Sequence, residues 1–324
     1  MHAHRHRPAA VLTAALAASA LLAALAGCAA PAAEPLVPDP DAPVAITVLV
    51  APVYFEANYV AEAQGFYAEH GLDVTIQRGT TADAALAALA NGSAQLAGSS
   101  GVATITAASR GIDARIVGGI SGMDEDANSG IYVGAGSGFD SPADLTGATI
   151  AINGLRNTTE LLLRIAIDED GGDSSKTQFV EIPYSAMNQS LASGQVDAIY
   201  QVSPFSSSVD GVRLENPYSA DFAGAPAVAW VATSAYAEQN PAVIDAYTAA
   251  MAEAYAYANE HPDAVRAVLD EVTELSAEDL EATELIEFGM TIEPEVVGRL
   301  ADAMLDYGFI DRGVELAELL REGS

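Results

Sequence analysis

The sequence predicts an α/β fold of two similar lobes, each built on a mainly parallel central sheet. Three observations carry this. Short Val- and Ile-rich runs alternate with helical segments at βα spacing. The alternation restarts after a polar gap at 121–130. Finally, 89–97 (LANGSAQLA) is echoed by 191–199 (LASGQVDAI), each a helix end, a glycine stop and a strand.

The elements follow in order. Val44–Val50 is apolar and short enough for a buried strand, ended by Ala51-Pro52. Glu56–Gln64 is a helix stopped by Gly65, and Leu72–Gln77 a strand. A helix starting at Thr81 or Asp83 runs to Ala90, with Asn91-Gly92 as its stop. Ala94–Ala97 is a strand, Ser99-Ser100-Gly101 opens a helix to Arg110, and Ala114–Ile120 is a strand. The second half begins with a strand at Ile131–Gly134. Ser141-Pro142 starts a short helix through Leu145. Thr149–Ile152 is a strand, Asn157 precedes a helix to about Asp168, and Phe179–Ile182 is a strand. Ser185 caps a helix to Ala192, Gly194 ends it, and Ala198–Val202 is a strand. Ala227–Val231 is apolar again, and Asn240–Arg321 reads as helices only.

The first 27 residues read as an address. Arg5 and Arg7 give a basic start, and an apolar run from Ala9 to Ala26 ends in Leu25-Ala26-Gly27-Cys28. That is a secretory leader, and its last four residues resemble a lipobox, in which the cysteine is lipidated. Cys28 is the sole cysteine of the 324 residues, so disulfide scaffolds and thiolate metal sites are excluded. A Pro/Ala-rich tether at 28–43 carries Pro31, Pro35, Pro38, Pro40 and Pro43 and predicts an extended spacer. The expectation is a body outside the cell, lipid-anchored to the cell membrane. Thirteen Lys and Arg against 45 Asp and Glu give a net charge of −32, or −34 once the leader's two arginines are gone. Such a chain repels phosphates, so no nucleic acid is expected. Lys176 is the one lysine.

Four motifs carry a family resemblance. They are Tyr59-Val60-Ala61-Glu62-Ala63-Gln64-Gly65-Phe66-Tyr67, His70-Gly71-Leu72-Asp73-Val74, Ser141-Pro142-Ala143-Asp144-Leu145-Thr146-Gly147, and Leu191 to Ala198. Together they resemble the solute-binding proteins of bacterial ABC importers, in the nitrate/sulfonate/taurine and thiamine-pyrimidine group. Thr146 and Ala148 stand where that family often has lysine, and Gln95 where it has Asp. The resemblance implies a type II periplasmic-binding-protein fold. Lobe 1 would hold 44–131 plus 229–324 and lobe 2 would hold 132–228. Strands near Ile131–Gly134 and Ala227–Thr233 would form the hinge. The ligand would lie between lobes at the carboxyl ends of the strands. It also implies permease and ATPase partners and a monomeric receptor.

Candidate ligand residues come from the connections facing such a cleft. Tyr54 and Phe55 offer aromatic walls, or pack against the next helix; Asn58 is on that helix's first turn. Ser99, Ser100 and Gly101 open a helix whose free N–H groups suit an anionic head, or simply cap it. Arg156, Asn157, Thr158 and Thr159 open another. Arg156 pairs either with an anion or with Glu160, four residues on, and Asn157 with Glu160 has capping-box spacing. Gln201 and Ser203 end a strand, with Phe205 after them, and Trp230 is either core or a stacking surface.

Other constellations fail. The glycines at 134–138 open no long helix as a dinucleotide turn requires. The acidic run at 124–128 lacks the later glycine and glutamate of a calcium loop. Outside the leader only His70 and His261 remain, and no nucleophile–base pair is visible. No cofactor, metal or catalytic residue is therefore expected. The expected function is an extracytoplasmic solute-binding component of an ABC importer for a small organic solute or oxyanion, of sulfonate, taurine, nitrate or pyrimidine type. The alternatives are an enzyme on the same fold acting on a pyrimidine precursor, and a ligand-sensing receptor for a membrane kinase.

Overall fold

The computed structural model describes residues 34–51, 54–79, 81–122, 129–202, 205–217, 222, 226–273, 277–283, 285–289 and 291–321. The leader, Cys28, Ser203 and the run 124–128 lie outside these residues. Among the described residues no helix is long and apolar enough to cross a membrane.

The first run is β1 (Val44–Val50), α1 (Glu56–Gln64), α2 (Phe66–Glu69), β2 (Leu72–Arg78), α3 (Ala82–Ala90), β3 (Leu96–Ser99), α4 (Gly101–Ser109) and β4 (Arg115–Gly122). Gly65 ends α1 at a φ of 84°, left-handed backbone that glycine adopts without a Cβ penalty. Thr81 caps α3 and Ser100 caps α4 through side-chain oxygens. The second run starts with β5 (Gly130–Val133), a 3₁₀ turn at Pro142–Leu145, β6 (Thr149–Ile152) and α5 (Thr158–Glu169). It continues with a 3₁₀ turn at Ser174–Lys176, β7 (Gln178–Glu181), α6 (Tyr184–Ala192), β8 (Ala198–Gln201), a 3₁₀ turn at Phe205–Ser208 and β9 (Val212–Arg213). Then come β10 (Pro226–Ala232), α7 (Ser234–Gln239), α8 (Pro241–Glu260), α9 (Pro262–Val272), α10 (Ala277–Ala282), α11 (Pro294–Asp306) and α12 (Leu316–Leu319).

The strands form two five-stranded sheets, in the orders β2-β1-β3-β10-β4 and β7-β6-β8-β5-β9. Three strands of each sheet are parallel neighbours. The exceptions are informative. β10 returns from the second sheet and runs antiparallel between β3 and β4, and β5 enters antiparallel to β8. The chain therefore passes between the sheets twice, and the β5–β9 pairing continues past β9: Ile131 N–H donates to the Glu215 carbonyl and Leu214 N–H to that of Ile131, both at 2.8 Å.

Several expected boundaries shift by a residue or two, as where Phe179–Ile182 becomes Gln178–Glu181, and two of the shifts have a visible cause. β3 starts at Leu96 rather than Ala94, because Ala94 N–H is still bonded back to Ala88 in the turn after α3. α6 starts at Tyr184 behind Pro183, with no side-chain cap from Ser185. The stretch expected to be a loose tether is also seated from Leu36 onward. Leu36 N–H donates to Asn240 Oδ1 at 3.0 Å. Gly71, at φ 70°, leaves no room for a Cβ, which would collide with the Asp39 backbone.

The echo between the halves is a structural repeat. Thr47 N–H donates to Gln95 Oε1 and Gln95 N–H to the Thr47 carbonyl. Thr149 N–H donates to Asp197 Oδ2 and Asp197 N–H to the Thr149 carbonyl. Each member of the second set carries the first set's number plus 102. The same shift relates the β1–β3 pairing of Val48 with Leu96 to the β6–β8 pairing of Ile150 with Ala198. It also relates Gly92 to Gly194, both left-handed at φ 74° and 70°. At β2 and β7 the shift is 103, a one-residue slip confined to that edge. Gln95 thus does the work of the aspartate expected there, using an amide oxygen.

Candidate functional site

The carboxyl ends of β1, β3, β6 and β8 each feed a connection into a helix or 3₁₀ turn, at the edge where open α/β sheets bind ligands. Two residues on these connections are the only non-glycines at positive φ among the described residues: Tyr54 (60°) and Arg156 (56°). They are related by the same 102-residue shift. Non-glycine residues hold such backbone only where their surroundings enforce it, and they concentrate at functional sites.

Tyr54 lies within electrostatic range of second-lobe tyrosines. Its phenol is an electrostatic neighbour of both Tyr184 and Tyr200. Burial, then the nearby Glu56 carboxylate, push the Tyr54 phenol up to about 12. Burial raises Tyr184 and Tyr200 further, so all three hydroxyls are neutral hydrogen-bonding groups at physiological pH. Tyr184 stacks on Phe205, with ring centroids 6.4 Å apart and planes 17° apart. Phe55 is buried, in edge contact with Tyr59, and carries the Arg78 guanidinium 4.4 Å above its ring.

Each of the four connections also holds one buried side-chain oxygen with no hydrogen-bond partner. These are Glu56 Oε2 after β1, Ser99 Oγ at the end of β3, Thr158 Oγ1 after β6 and Ser206 Oγ after β8. Glu56 and Thr158 are again 102 residues apart, each the first residue of its helix. Buried polar atoms are nearly always bonded, and one left alone costs about 1–3 kcal/mol. A polar ligand lying against these connections would give these oxygens partners. Burial raises the Glu56 carboxyl above the usual range, partly offset by its own backbone N–H and by Arg78.

The remaining expected residues are placed as follows. Asn58 is fully buried in the lobe, its Oδ1 accepting from Tyr67 and Tyr247 hydroxyls at 2.9 Å each. Trp230 is fully buried, donating to the Tyr255 hydroxyl at 2.9 Å and set edge-on to Tyr247. Both belong to the core rather than the cleft. Gln201 is fully buried, with its amide spent on the Tyr184 carbonyl and Asn188 Oδ1 and its oxygen on Val202 N–H. It braces the Tyr184 wall. Ser100 and Asn157 cap their helices through Ala103 and Glu160 N–H. Gly101 lies so close to Pro226 that a Cβ would meet the proline carbonyl at 3.0 Å.

The Arg156 side chain does not pair with Glu160. Glu160 takes its backbone N–H at 2.6 Å and the guanidinium of Arg164, while the Arg156 guanidinium donates to the Gly308 carbonyl and lies 4.9 Å over Phe309. Thr159 is buried beside Thr158. The sequence reading missed Glu56, Tyr184, Tyr200 and Ser206. Glu56 and Tyr184 each begin a helix and Tyr200 lies inside a strand, so each had a structural explanation.

Two α/β sheets, with the chain passing between them twice, are the architecture of the two-lobed periplasmic-binding-protein fold. Solved structures agree on the fold. The aliphatic sulphonate binding protein of Escherichia coli aligns at a TM-score of 0.72 and 20% identity, covering 86% of this chain and 92% of that one. The alkanesulfonate-binding protein of Xanthomonas axonopodis, bound to MOPS, aligns at 0.68 and 17%, covering 90% and 99%. The nitrate-binding protein of Synechocystis aligns at 0.67 and 14%, covering 90% and 88%. Residues 53–265 match the family described as NMT1/THI5 like, and the chain belongs to that family. A formylaminopyrimidine-binding protein of Halalkalibacterium halodurans is 27% identical over 217 residues, or 65% of this chain. The match spans 64% of that relative's length.

Proposed function

We infer that this protein is the extracytoplasmic solute-binding component of an ABC importer. It captures a small organic solute between its two lobes and presents it to a permease. The observation that carries this is the set of four unpartnered buried oxygens, one on each cleft-facing connection. The aromatic surfaces of Tyr54, Tyr184 and Phe205 suit a flat ring. Arg156, the basic residue expected on these connections, has its guanidinium already engaged. That favours a pyrimidine-type ligand, as the name of the Halalkalibacterium relative indicates for that protein, over a sulfonate or nitrate.

This reading includes the leader at 1–27, a lipid on Cys28, and lobes of 44–131 with 229–324 and of 132–228. It is a binding function without catalysis. His70 is paired with Glu253 and His261 with the Tyr257 carbonyl, so neither serves as a base at the cleft. The test is thermal unfolding of residues 29–324 with a formylaminopyrimidine, an aliphatic sulphonate and nitrate. A ligand present at a hundred times its Kd adds about 2.7 kcal/mol of stability. Stabilisation by the pyrimidine is expected; stabilisation by the sulphonate or nitrate instead overturns the ligand class, and no response to any probe overturns the receptor reading.

A further inference from the structure

We propose that Glu56 is a specificity-determining residue of the cleft, whose carboxylate accepts from an amino or other N–H donor group of the ligand and turns anions away. The proposal rests on the reading of the cleft as a solute site. Glu56 opens α1, immediately after Tyr54 and Phe55 at the end of β1. Its Oε2 is buried without a hydrogen-bond partner.

Arg78 acts on Glu56 as a nearby charge without bonding to it. Arg78 lies over the Phe55 ring and donates to the Val272 carbonyl at 2.5 Å, and among the described residues it forms no ion pair with Glu56. The carboxylate therefore keeps a free acceptor beside the Tyr54 phenol, which in turn neighbours the second-lobe tyrosines. A carboxylate accepts and cannot donate while ionised, so it selects a donor. It also repels a sulfonate or carboxylate at the same place. The equivalent position of the second lobe is Thr158, a neutral hydroxyl. The two helix starts thus offer different chemistry to the two ends of one ligand.

A charge-assisted hydrogen bond contributes about 1.5–3 kcal/mol. Glu56→Gln is accordingly expected to weaken formylaminopyrimidine binding about ten- to hundredfold by calorimetry. Melting of the unliganded variant separates this from a structural role: its midpoint should equal or exceed that of the parent, since a carboxylate that burial disfavours has been replaced by a neutral amide. A parent that binds the pyrimidine with a variant that binds it equally well overturns the inference and leaves the receptor reading intact. A variant with a lower unliganded midpoint assigns Glu56 to structure and also overturns it. A parent that binds none of the three probes overturns the receptor reading and this inference with it.

Discussion

Asn58→Ala tests whether this residue belongs to the core or the site. In the structure its Oδ1 accepts two buried tyrosine hydroxyls, Tyr67 and Tyr247, each at 2.9 Å. Alanine leaves both without that acceptor. An unsatisfied buried hydroxyl costs about 1–3 kcal/mol. Tyr67 keeps a weak alternative in Met251 Sδ at 3.2 Å, so its share lies at the low end. Asn58 Nδ2 is already unpartnered, and its removal returns part of the cost. The net expectation is a loss of about 2–3 kcal/mol, read as a lower urea midpoint at unchanged slope. In a Tyr67→Phe, Tyr247→Phe background the same substitution should cost under about 1 kcal/mol, because the hydroxyls it would orphan are gone. Full stability of the single variant with lost ligand binding would refute this reasoning and return Asn58 to the cleft.

Three further outcomes are expected. Trp230 is the only tryptophan and fully buried, so intrinsic fluorescence should be blue-shifted and poorly quenched by acrylamide; ready quenching would contradict its position. Asp197→Ala and Gln95→Ala should each lower stability by about 1 kcal/mol, since each frees one strand N–H; a cost for only one of them would break the equivalence of the halves. Burial raises the folded Glu56 pKa, so the folded state holds that proton more tightly than the unfolded chain. Stability from this group is full below the ordinary glutamate value and is lost as pH rises through the folded value. Parent and Glu56→Gln should therefore differ little in acid and diverge towards neutrality, with the variant the more stable; the opposite trend in urea unfolding at a series of pH values would contradict the assignment.

Much of the fold was legible because apolar runs and glycine stops are local signals. Val44–Val50, Glu56–Gln64 with Gly65, and Thr149–Ile152 match residue for residue. Strand direction was not legible, because the reversal of β10 and β5 depends on which sheet the chain returns to. Ser99 and Thr158 drew notice as small hydroxyl residues at helix starts, and their hydroxyl oxygens are buried without partners. Gln201 and Asn58 turned inward and Trp230 took the core alternative, because position on a strand or helix start does not say which partner a polar atom finds. The partners of Asn58 and Trp230 come from α2 and α8, 9 to 189 residues away. Glu56 was hidden because an acidic first helical residue is already explained by the helix dipole.

The constant 102-residue shift bears on how the chain can be engineered. Tyr54 with Arg156, Thr47 with Thr149 and Gly92 with Gly194 keep equal spacing, so the two halves hold the same count between the strand that starts the site and the turn that precedes its last strand. Added residues belong outside those intervals. The glycines at 134, 136 and 138, where a Cβ would meet nothing within 4 Å, offer a place for a reporter peptide or a fused domain. An insertion of one residue between 51 and 58 or between 153 and 160 would turn a left-handed residue out of its place and take one half of the binding surface with it.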